Sequence, residues 1–284
     1  MVTQGNSEIT ALKKIFEETS LRCLKYDSYF EVYEKVLKPY INQPITLLEI
    51  GVQNGGSLQM WRKYLGSSAR IIGVDLNPEV KKNEANGFEI CIGDQADPKF
   101  WKSFLEKYGA LDIVIDDGGH TNHQQLTSLV SLLPNLRQGG LYLIEDLHCS
   151  YMPSFGNPSR WSTINFLISG IHSINTRSPL LQQRINLFTN NVFSITFFES
   201  IAVINVLEQQ STRAKRVKNT GLRTIPNDFR MERFRKYFLS LGYEAELKRD
   251  KLSNLKNFVR IFLQFIILKI QNKSAKNIFK EYGN

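Results

Sequence analysis

The chain has 284 residues, of which 42% are hydrophobic and 22% charged. This composition allows one large α/β domain with extensions, and it excludes both a minimal module and a chain that is disordered from end to end. The three cysteines, Cys23, Cys91 and Cys149, have no CxxC spacing, which excludes a disulfide framework or a zinc site of the usual pattern and favours a reduced, cytoplasmic setting. The opening MVTQGNSEITALKK has no apolar stretch, so we expect no secretion signal.

The net charge of +9 is unevenly distributed. Residues 211–284 contain 18 of the 36 lysines and arginines but only 6 of the 27 acids, so this segment carries +12 and the rest of the chain −3. A basic segment can contact anionic lipid, nucleic acid or an acidic partner, but a solvated helical face explains it equally well. We expect peripheral membrane contact at most and no nucleic acid partner, because the rest of the chain is acidic where phosphate would approach.

Apolar residues at helical spacing predict one or two leading helices between residues 7 and 38. Short apolar strands then alternate with helices, and the strands are TLLEIGV, RIIGVDL, FEICIGD, LDIVIDD and GLYLIED. This alternation predicts a parallel sheet that is covered on both faces. The later runs NVFSITFFES and IAVINVLE are close enough for a hairpin, so we expect antiparallel closing strands.

The same pattern divides the chain into three parts. Residues 1–44 are predicted to form a helical cap, residues 45–210 the sheet domain, and residues 211–284 a basic helical extension. Residues 150–190 are rich in Ser, Asn and Pro, and we expect them to form a lid or a wall of the substrate site.

The turn after the first strand reads EIGVQNGGS, from Glu49 to Ser57. Gly51 and Gly55 allow a tight turn close to a ligand, and the helix that begins near Ser57 presents free N–H groups to an anion. An ordinary strand-to-helix turn could use the same residues, and Gln53 replaces the second glycine of a dinucleotide motif. The turn alone is therefore a weak signal.

Two further strand ends add to this signal. The second strand ends at Asp75, which can accept hydrogen bonds from both hydroxyls of a ribose, and the third is followed by Asp94 and Gln95, which suit the amine of adenine. Each acid could instead cap a helix or turn. Because the carboxyl ends of adjacent parallel strands line one crevice, the three strand ends together predict a nucleoside site.

The fourth and fifth strands end in acids. Asp117 precedes Glu145 and Asp146 by 28 and 29 positions, the length of one helix with its loops, so their side chains should converge. Converging carboxylates predict a hard cation such as Mg²⁺ or Mn²⁺. His120 could act as a base, since imidazole titrates near neutral pH. Alternatively, DDGGH is a solvated turn whose histidine caps the next helix. Asp116 is predicted to face the cofactor rather than the metal.

Between Tyr26 and Val206, the segments LLEIGVQNGGSLQMW, IIGVDLNP, GDQADP, DIVIDDGGH and GGLYLIEDLHCSY resemble class I S-adenosylmethionine-dependent methyltransferases. Within these they resemble the metal-dependent sugar O-methyltransferases of the macrocin type and the related cephalosporin hydroxylase group. The resemblance implies an α/β, doubly wound, Rossmann-like sheet of seven strands whose last strand is antiparallel.

The resemblance also implies roles for single residues. Glu49, Gly51 and Gly55 would bracket the methionine part of S-adenosylmethionine, Asp75 would hold its ribose, and His120 would be the base. Asp94 with Gln95 would hold the adenine. The leading hypothesis is a Mg²⁺-dependent O-methyltransferase that acts on a hydroxyl of a sugar or glycosylated metabolite, in a chain we expect to form a homo-oligomer. The alternatives are a phenol or catechol O-methyltransferase, a cofactor-binding partner subunit without catalysis, and a nucleic acid methyltransferase.

Overall fold

The computed structural model describes residues 10–155, 157–175, 187–206 and 219–222. By its internal contacts the chain divides into two units, Met1–Ala214 and Lys215–Asn284, and the elements described below all belong to the first. The predicted helices of the basic extension lie outside the described residues.

The centre of the first unit is a seven-stranded sheet with the order β3-β2-β1-β4-β5-β7-β6. The strands are β1 (Thr46–Ile50), β2 (Arg70–Asp75), β3 (Glu89–Ile92), β4 (Leu111–Asp116), β5 (Leu136–Ile144), β6 (Val192–Phe197) and β7 (Ala202–Val206). Strands β1 to β5 are parallel, and β7 pairs antiparallel with both β5 and β6. The predicted doubly wound Rossmann-like sheet and its antiparallel closing strands are confirmed.

Seven α-helices accompany the strands in the described part of the chain. They are α1 (Ala11–Glu17), α2 (Asp27–Leu37), α3 (Gly56–Leu65), α4 (Pro98–Tyr108), α5 (Asn122–Leu132), α6 (Thr163–Asn175) and α7 (Leu187–Asn191). Two leading helices are therefore present, as predicted. Local chemistry defines several helix starts: Asp97 accepts from the N–H of Lys99 at α4, and Thr121 with Gln124 forms a capping box at α5.

The apolar core is split by the sheet into two clusters. Successive residues of a strand point to opposite faces, so Leu47 of β1 belongs to one cluster and Leu48 to the other. The first cluster includes residues of α1, α2 and α3, such as Tyr33 and Trp61, and the second includes Trp101 of α4. Both faces are covered, as predicted, and the two leading helices share the core of the sheet.

Two further findings concern the described residues. The three cysteines are free thiols. Within the described residues, no helix combines the length and the apolar character that crossing a membrane requires.

Candidate active site

The carboxyl ends of β1 to β5 form one edge of the sheet, and a cavity of about 260 Å³ opens there. It is lined by residues that follow four of these strands, namely Ile50, Gly51, Gln53, Val74, Asp75, Leu76, Gly93, Asp94, Gln95, Asp117, Gly118, Gly119 and Gln124. The predicted convergence of several strand ends on one crevice is thus present in the structure.

Four of the predicted cofactor residues line this cavity: Gly51, Asp75, Asp94 and Gln95. Gly51 has φ +93°, and a Cβ there would lie 2.1 Å from the carbonyl oxygen of Asp117, so only glycine fits. The Oδ2 atom of Asp75 accepts hydrogen bonds from two backbone N–H groups of the first turn, at 2.9 and 3.0 Å, which fixes this carboxylate at the cavity rim.

The other predicted residues of the first turn lie behind the cavity wall. Glu49 is fully buried and accepts hydrogen bonds from Ser57 at 2.6 Å and from Trp61 Nε1 at 3.1 Å. Burial raises the pKa of Glu49. Gly55 has φ +88° and packs against the side chain of Asn83. These residues shape the turn, and their predicted contact with a cofactor stays a prediction.

Asp116 also lies behind the wall, at the centre of a buried polar network. Its carboxylate accepts from Gln95 Nε2 at 2.6 Å, from the Ser128 hydroxyl at 2.6 Å and from the Tyr142 hydroxyl at 3.1 Å. Burial raises its pKa, and these three donors lower it. Gln95 in turn accepts from the N–H of Gly119 at 3.1 Å. Asp116 therefore contacts the cavity through Gln95, and its predicted role at the cofactor stays a prediction.

Next to the cavity, ligand atoms of Asp117, His120 and Asp146 lie within 4.8 Å of one another, a spacing that can hold a metal ion. His120 Nε2 is 3.4 Å from Asp146 Oδ2 and 3.9 Å from Asp117 Oδ1. His120 Nδ1 is buried without a hydrogen-bond partner. The structure thus brings together the predicted base and two of the three predicted metal ligands.

The backbone at this edge is strained. Gln53, His120, Asp146 and Ser200 have φ between +47° and +62°, a region that residues other than glycine rarely adopt. Such conformations cost about 1–3 kcal/mol each and persist where surrounding contacts impose them. Two of the three residues whose side chains could hold a metal, His120 and Asp146, have this unusual backbone φ.

Glu145, the third predicted metal ligand, has two close partners. Lys25 Nζ donates to its Oε1 and Oε2 at 3.1 and 2.9 Å, and the Tyr33 hydroxyl donates to Oε1 at 2.6 Å. Burial raises the pKa of Glu145, against the lowering effect of the Lys25 ammonium. Glu145 would have to give up part of its bond to Lys25 in order to reach a metal, so its assignment as a ligand stays a prediction.

Sequence reasoning missed three residues of this site, Lys25, Tyr29 and Tyr33. Lys25 precedes α2, and the two tyrosines lie one turn apart on its buried face. In the sequence, both tyrosines fall on apolar positions of a predicted leading helix. A buried tyrosine hydroxyl usually has a hydrogen-bond partner. Two tyrosines four positions apart on an apolar helix face therefore indicate a polar contact beneath that face. Lys25 had no such signal.

A second depression adjoins Asp146 on the side of α6. It has a volume of about 430 Å³ and is lined mainly by apolar side chains, namely Leu147, Tyr151, Ile164, Ile168, Ile171, Phe197 and Phe198, with His148 and Ser200 as polar members. We call it the apolar groove. It lies at the same edge of the sheet, because the β6–β7 turn is at the carboxyl end of β5. Tyr151, Ile164, Ile168 and Ile171 of the groove belong to residues 150–190, whose role as a wall of the substrate site stays a prediction.

A family profile described as a methyltransferase domain matches residues 48–147, from β1 to the start of the turn after β5. Residues 48–147 are thus the part of the chain that is similar to a methyltransferase domain. The matched region contains every site residue predicted from the sequence. Lys25, Tyr29 and Tyr33 lie outside it, in the leading part of the chain.

Several curated relatives are O-methyltransferases by name. The chain is 34% identical over 158 residues to 8-demethyl-8-alpha-L-rhamnosyl tetracenomycin-C 2'-O-methyltransferase of Streptomyces olivaceus, a match that covers 51% of this chain and 41% of that protein. It is 38% identical over 134 residues to demethylmacrocin O-methyltransferase of Streptomyces fradiae, covering 45% of this chain and 33% of that protein. The chain therefore matches less than half the length of these relatives.

A solved methyltransferase structure has a fold similar to that of this chain. The MycE methyltransferase from the mycinamycin biosynthetic pathway, in complex with Mg, SAH and mycinamycin VI, superposes with a TM-score of 0.61 at 27% identity. The superposition covers 77% of this chain and 58% of MycE. It extends well beyond the 100 residues of the family match, so the shared fold includes more than the methyltransferase domain.

Proposed function

We propose that the chain is an S-adenosylmethionine-dependent O-methyltransferase that uses a divalent cation and acts on a hydroxyl of a sugar or glycosylated metabolite. The observation that carries this proposal is the group of Asp117, His120 and Asp146 beside a cavity at the carboxyl edge of the sheet. The named activities of the relatives, and the Mg and SAH in the MycE complex, agree with it.

The cavity residues fit S-adenosylmethionine. Gly51 lines the cavity, and its lack of a side chain lets the Asp117 backbone pack against the first turn, so a methionine moiety would lie against backbone there. Asp75 is fixed at the rim by three backbone N–H groups, two on Oδ2 and one on Oδ1, and Oδ1 retains acceptor capacity for a ribose hydroxyl. Asp94 and Gln95 line the part of the cavity beside β3, where the adenine would bind. Glu49, Gly55, Ser57 and Asp116 support these residues from behind.

The acids fit Mg²⁺ or Mn²⁺, because both ions favour carboxylate oxygens. We assign the cation to Asp117 and Asp146, whose carboxylates are partly exposed and face His120. Glu145, the third predicted ligand, is fully buried and bound to Lys25. It would join the cation as a ligand if one of its oxygens left the ammonium.

Methyl transfer to a hydroxyl requires removal of the hydroxyl proton. His120 Nε2, which faces Asp146 and Asp117, is the atom we assign as proton acceptor. The two carboxylates stabilise the imidazolium that results. When bound, S-adenosylmethionine supplies the methyl group and the cation polarises the acceptor hydroxyl. In the balanced reaction the carbon–sulfur bond breaks, a carbon–oxygen bond forms, and the proton leaves through His120.

The apolar groove suits a non-polar part of the acceptor that is attached to the sugar. It begins at Leu147, the residue after Asp146, so an acceptor whose hydroxyl lies near Asp146 could extend into it. The side chains of Tyr151 and Ile168 are 61% and 43% exposed there, and covering them would contribute apolar burial. We therefore propose an acceptor that consists of a sugar on an apolar aglycone.

A cytoplasmic location, a homo-oligomeric state and peripheral membrane contact by the basic extension are kept as further proposals. Of residues 211–284, only 219–222 are described. These three proposals rest on the composition and charge of the chain alone.

The test is a methyl-transfer assay of the full chain with labelled S-adenosylmethionine and a panel of free sugars, glycosides, catechols and RNA. We expect transfer to glycosides, loss of transfer in EDTA, and recovery with Mg²⁺. Full activity in EDTA would exclude the metal, and transfer to catechols alone would move the assignment to the phenol type. No transfer to any acceptor, with tight cofactor binding, would favour a non-catalytic subunit.

A further inference from the structure

Lys25 is a buried cation at the edge of the sheet that carries the candidate site. It belongs to the loop of residues 18–26 between α1 and α2, which we call the lysine loop. Its side chain is 1% exposed, whereas lysine ammonium groups are nearly always in water. A buried ammonium persists only when acids compensate for its lost hydration.

Three carboxylates surround this ammonium. Lys25 Nζ is 2.6 Å from Asp117 Oδ2, 2.9 Å from Glu145 Oε2 and 3.8 Å from Glu49 Oε1. Burial lowers the pKa of Lys25, but these acids raise it by more, so the residue carries its charge. One ammonium therefore faces three carboxyl groups, one on β1 and two that directly follow β4 and β5, and none of these pairings is local in sequence.

Packing fixes the lysine loop in place. Gln59 Oε1 on α3 accepts from the N–H groups of Ser20 and Leu21, each at 3.2 Å. A Cβ at Gly56 would lie 2.4 Å from the carbonyl oxygen of Leu21, so the loop backbone is in close contact with the start of α3. The contacts with α3 therefore fix the backbone of the lysine loop, and the acids fix the ammonium of Lys25.

Asp117 connects the ammonium with the candidate metal group. Its Oδ2 accepts from Lys25, and its Oδ1 lies 3.9 Å from His120 Nε2. Without the ammonium, Asp117 and Glu145 would repel each other across a buried space, and the carboxylate of Asp117 would be free to rotate.

We propose that Lys25 is a positioning residue for methyl transfer: its ammonium orients Asp117 so that Oδ1 faces His120 and the cation, and it offsets part of the negative charge around the cation. This inference rests on the proposed function and adds a residue from outside the methyltransferase domain to it. It has two opposite consequences. Orientation favours catalysis, whereas a positive charge beside the metal group weakens cation binding.

Lys25→Met separates these consequences, because methionine nearly retains the length and volume of the chain but has no charge. The probe is Mn²⁺ alone, measured by electron paramagnetic resonance as free and bound ion, together with kcat for glycoside methylation. We expect Mn²⁺ to bind about tenfold more tightly, from the loss of one nearby positive charge, and kcat to fall at least tenfold. Lys63→Met, at an exposed lysine of α3 paired with Glu18, should change neither.

If Lys25 had a purely structural role, Lys25→Met would lower both the Mn²⁺ affinity and kcat, or it would lower neither. If folded Lys25→Met binds Mn²⁺ no more tightly than the wild type, or keeps full kcat, the inference is overturned. If the wild type and Lys63→Met bind no Mn²⁺, the metal part of the proposed function fails too. If both bind Mn²⁺ and transfer methyl normally while Lys25→Met gives one of the overturning results, only the role of Lys25 fails.

A second pair of variants keeps the test open if Lys25→Met does not fold. Glu145→Gln removes one acid, and Lys25→Met with Glu145→Gln removes the ammonium and that acid together. Relative to Glu145→Gln, we expect the double variant to bind Mn²⁺ more tightly and to have a lower kcat, because Asp117 is no longer oriented. Equal values in the two variants would overturn the inference.

Discussion

Tyr29 and Asp146 are joined by two hydrogen bonds: the tyrosine hydroxyl donates to Asp146 Oδ1 at 2.7 Å, and the backbone N–H of Asp146 donates to the same hydroxyl at 3.1 Å. The pair leaves Asp146 Oδ2 as the oxygen that faces His120. A residue of the second helix therefore orients a candidate metal ligand that follows the fifth strand.

Tyr29→Phe should weaken cation binding, because Asp146 loses the donor that fixes its carboxylate. We expect Mn²⁺ affinity to fall about fivefold to tenfold, in line with about 1 kcal/mol for a lost hydrogen bond. Isothermal titration with Mn²⁺ measures this change. Tyr40→Phe is the matched control, since the Tyr40 hydroxyl donates to the Gly139 carbonyl and not to an acid of the site. Equal Mn²⁺ affinity in both variants would contradict the role of Tyr29.

His120→Ala should abolish most of the methyl transfer while cofactor binding remains. A positioned acid or base contributes about 10²- to 10⁴-fold to rate, so kcat should fall within that range. Single-turnover transfer and a titration with S-adenosylhomocysteine measure the two quantities. His123→Ala serves as the control, because His123 is exposed on α5 and its ring contacts Thr127. A His120→Ala enzyme with near-normal kcat would remove this residue from the mechanism.

Gly51→Ala should be far more damaging than a comparable substitution elsewhere. Gly51 and Gly109 both have positive φ, but a Cβ at residue 51 meets the Asp117 carbonyl at 2.1 Å and a Cβ at residue 109 meets nothing within 4 Å. Gly109→Ala isolates the conformational cost, about 1 kcal/mol. We expect Gly51→Ala to lower the free energy of unfolding by more than that and to weaken cofactor binding. Urea unfolding and titration distinguish the two effects, and equal losses would contradict the clash.

The lysine loop should protect Cys23 from alkylation. Burial raises the pKa of Cys23 to about 12, so at pH 8 the reactive thiolate is scarce. We expect iodoacetamide to modify native Cys23 on the order of a thousandfold more slowly than a free thiol, and the rate to increase as the pH rises toward 12. Peptide mapping by mass spectrometry follows each cysteine, with the urea-unfolded chain as reference. Rapid native modification of Cys23 would show that the loop is not closed.

Ile168→Gln should raise KM for glycosides with an apolar aglycone and leave KM for a free sugar unchanged. Ile168 is 43% exposed in the apolar groove, and the substitution replaces apolar contact with a polar amide. An increase of about tenfold is expected from roughly 1.5 kcal/mol of lost burial. Val130→Gln on α5, at 45% exposure outside the groove, is the control. If the KM of Ile168→Gln for these glycosides equals that of the wild type, the groove is excluded as an aglycone site.

The sequence predicted the sheet and the residues at its strand ends because these patterns are local. An apolar strand followed by a polar residue shows both the strand and its tip, and the 28 positions between Asp117 and Glu145 correspond to one helix with its loops. The convergence of Asp117, His120 and Asp146 follows from parallel strand order alone, and the structure contains it.

Other parts of the site depend on contacts between distant parts of the chain. Lys25 lies 92 positions before Asp117 and 120 before Glu145, so no spacing in the sequence announces that they meet. The burial of the Asp116 carboxylate behind Gln95 was not predicted either, because Gln95 belongs to a different strand end. Asp116 and Asp117 are neighbours at one strand end, yet one is buried against Gln95 and the other lines the cavity, because alternate side chains of a strand face opposite sides.

The lysine loop and α2 have a consequence for the design of chimeras and fragments. The matched methyltransferase domain begins at residue 48, but Lys25, Tyr29 and Tyr33, which contact the acids of the site, precede it. A transplant of residues 48–147 into another scaffold would leave Glu145 buried without its ammonium and Asp146 without its tyrosine. The unit that can be exchanged between enzymes is therefore longer than the unit that sequence similarity outlines.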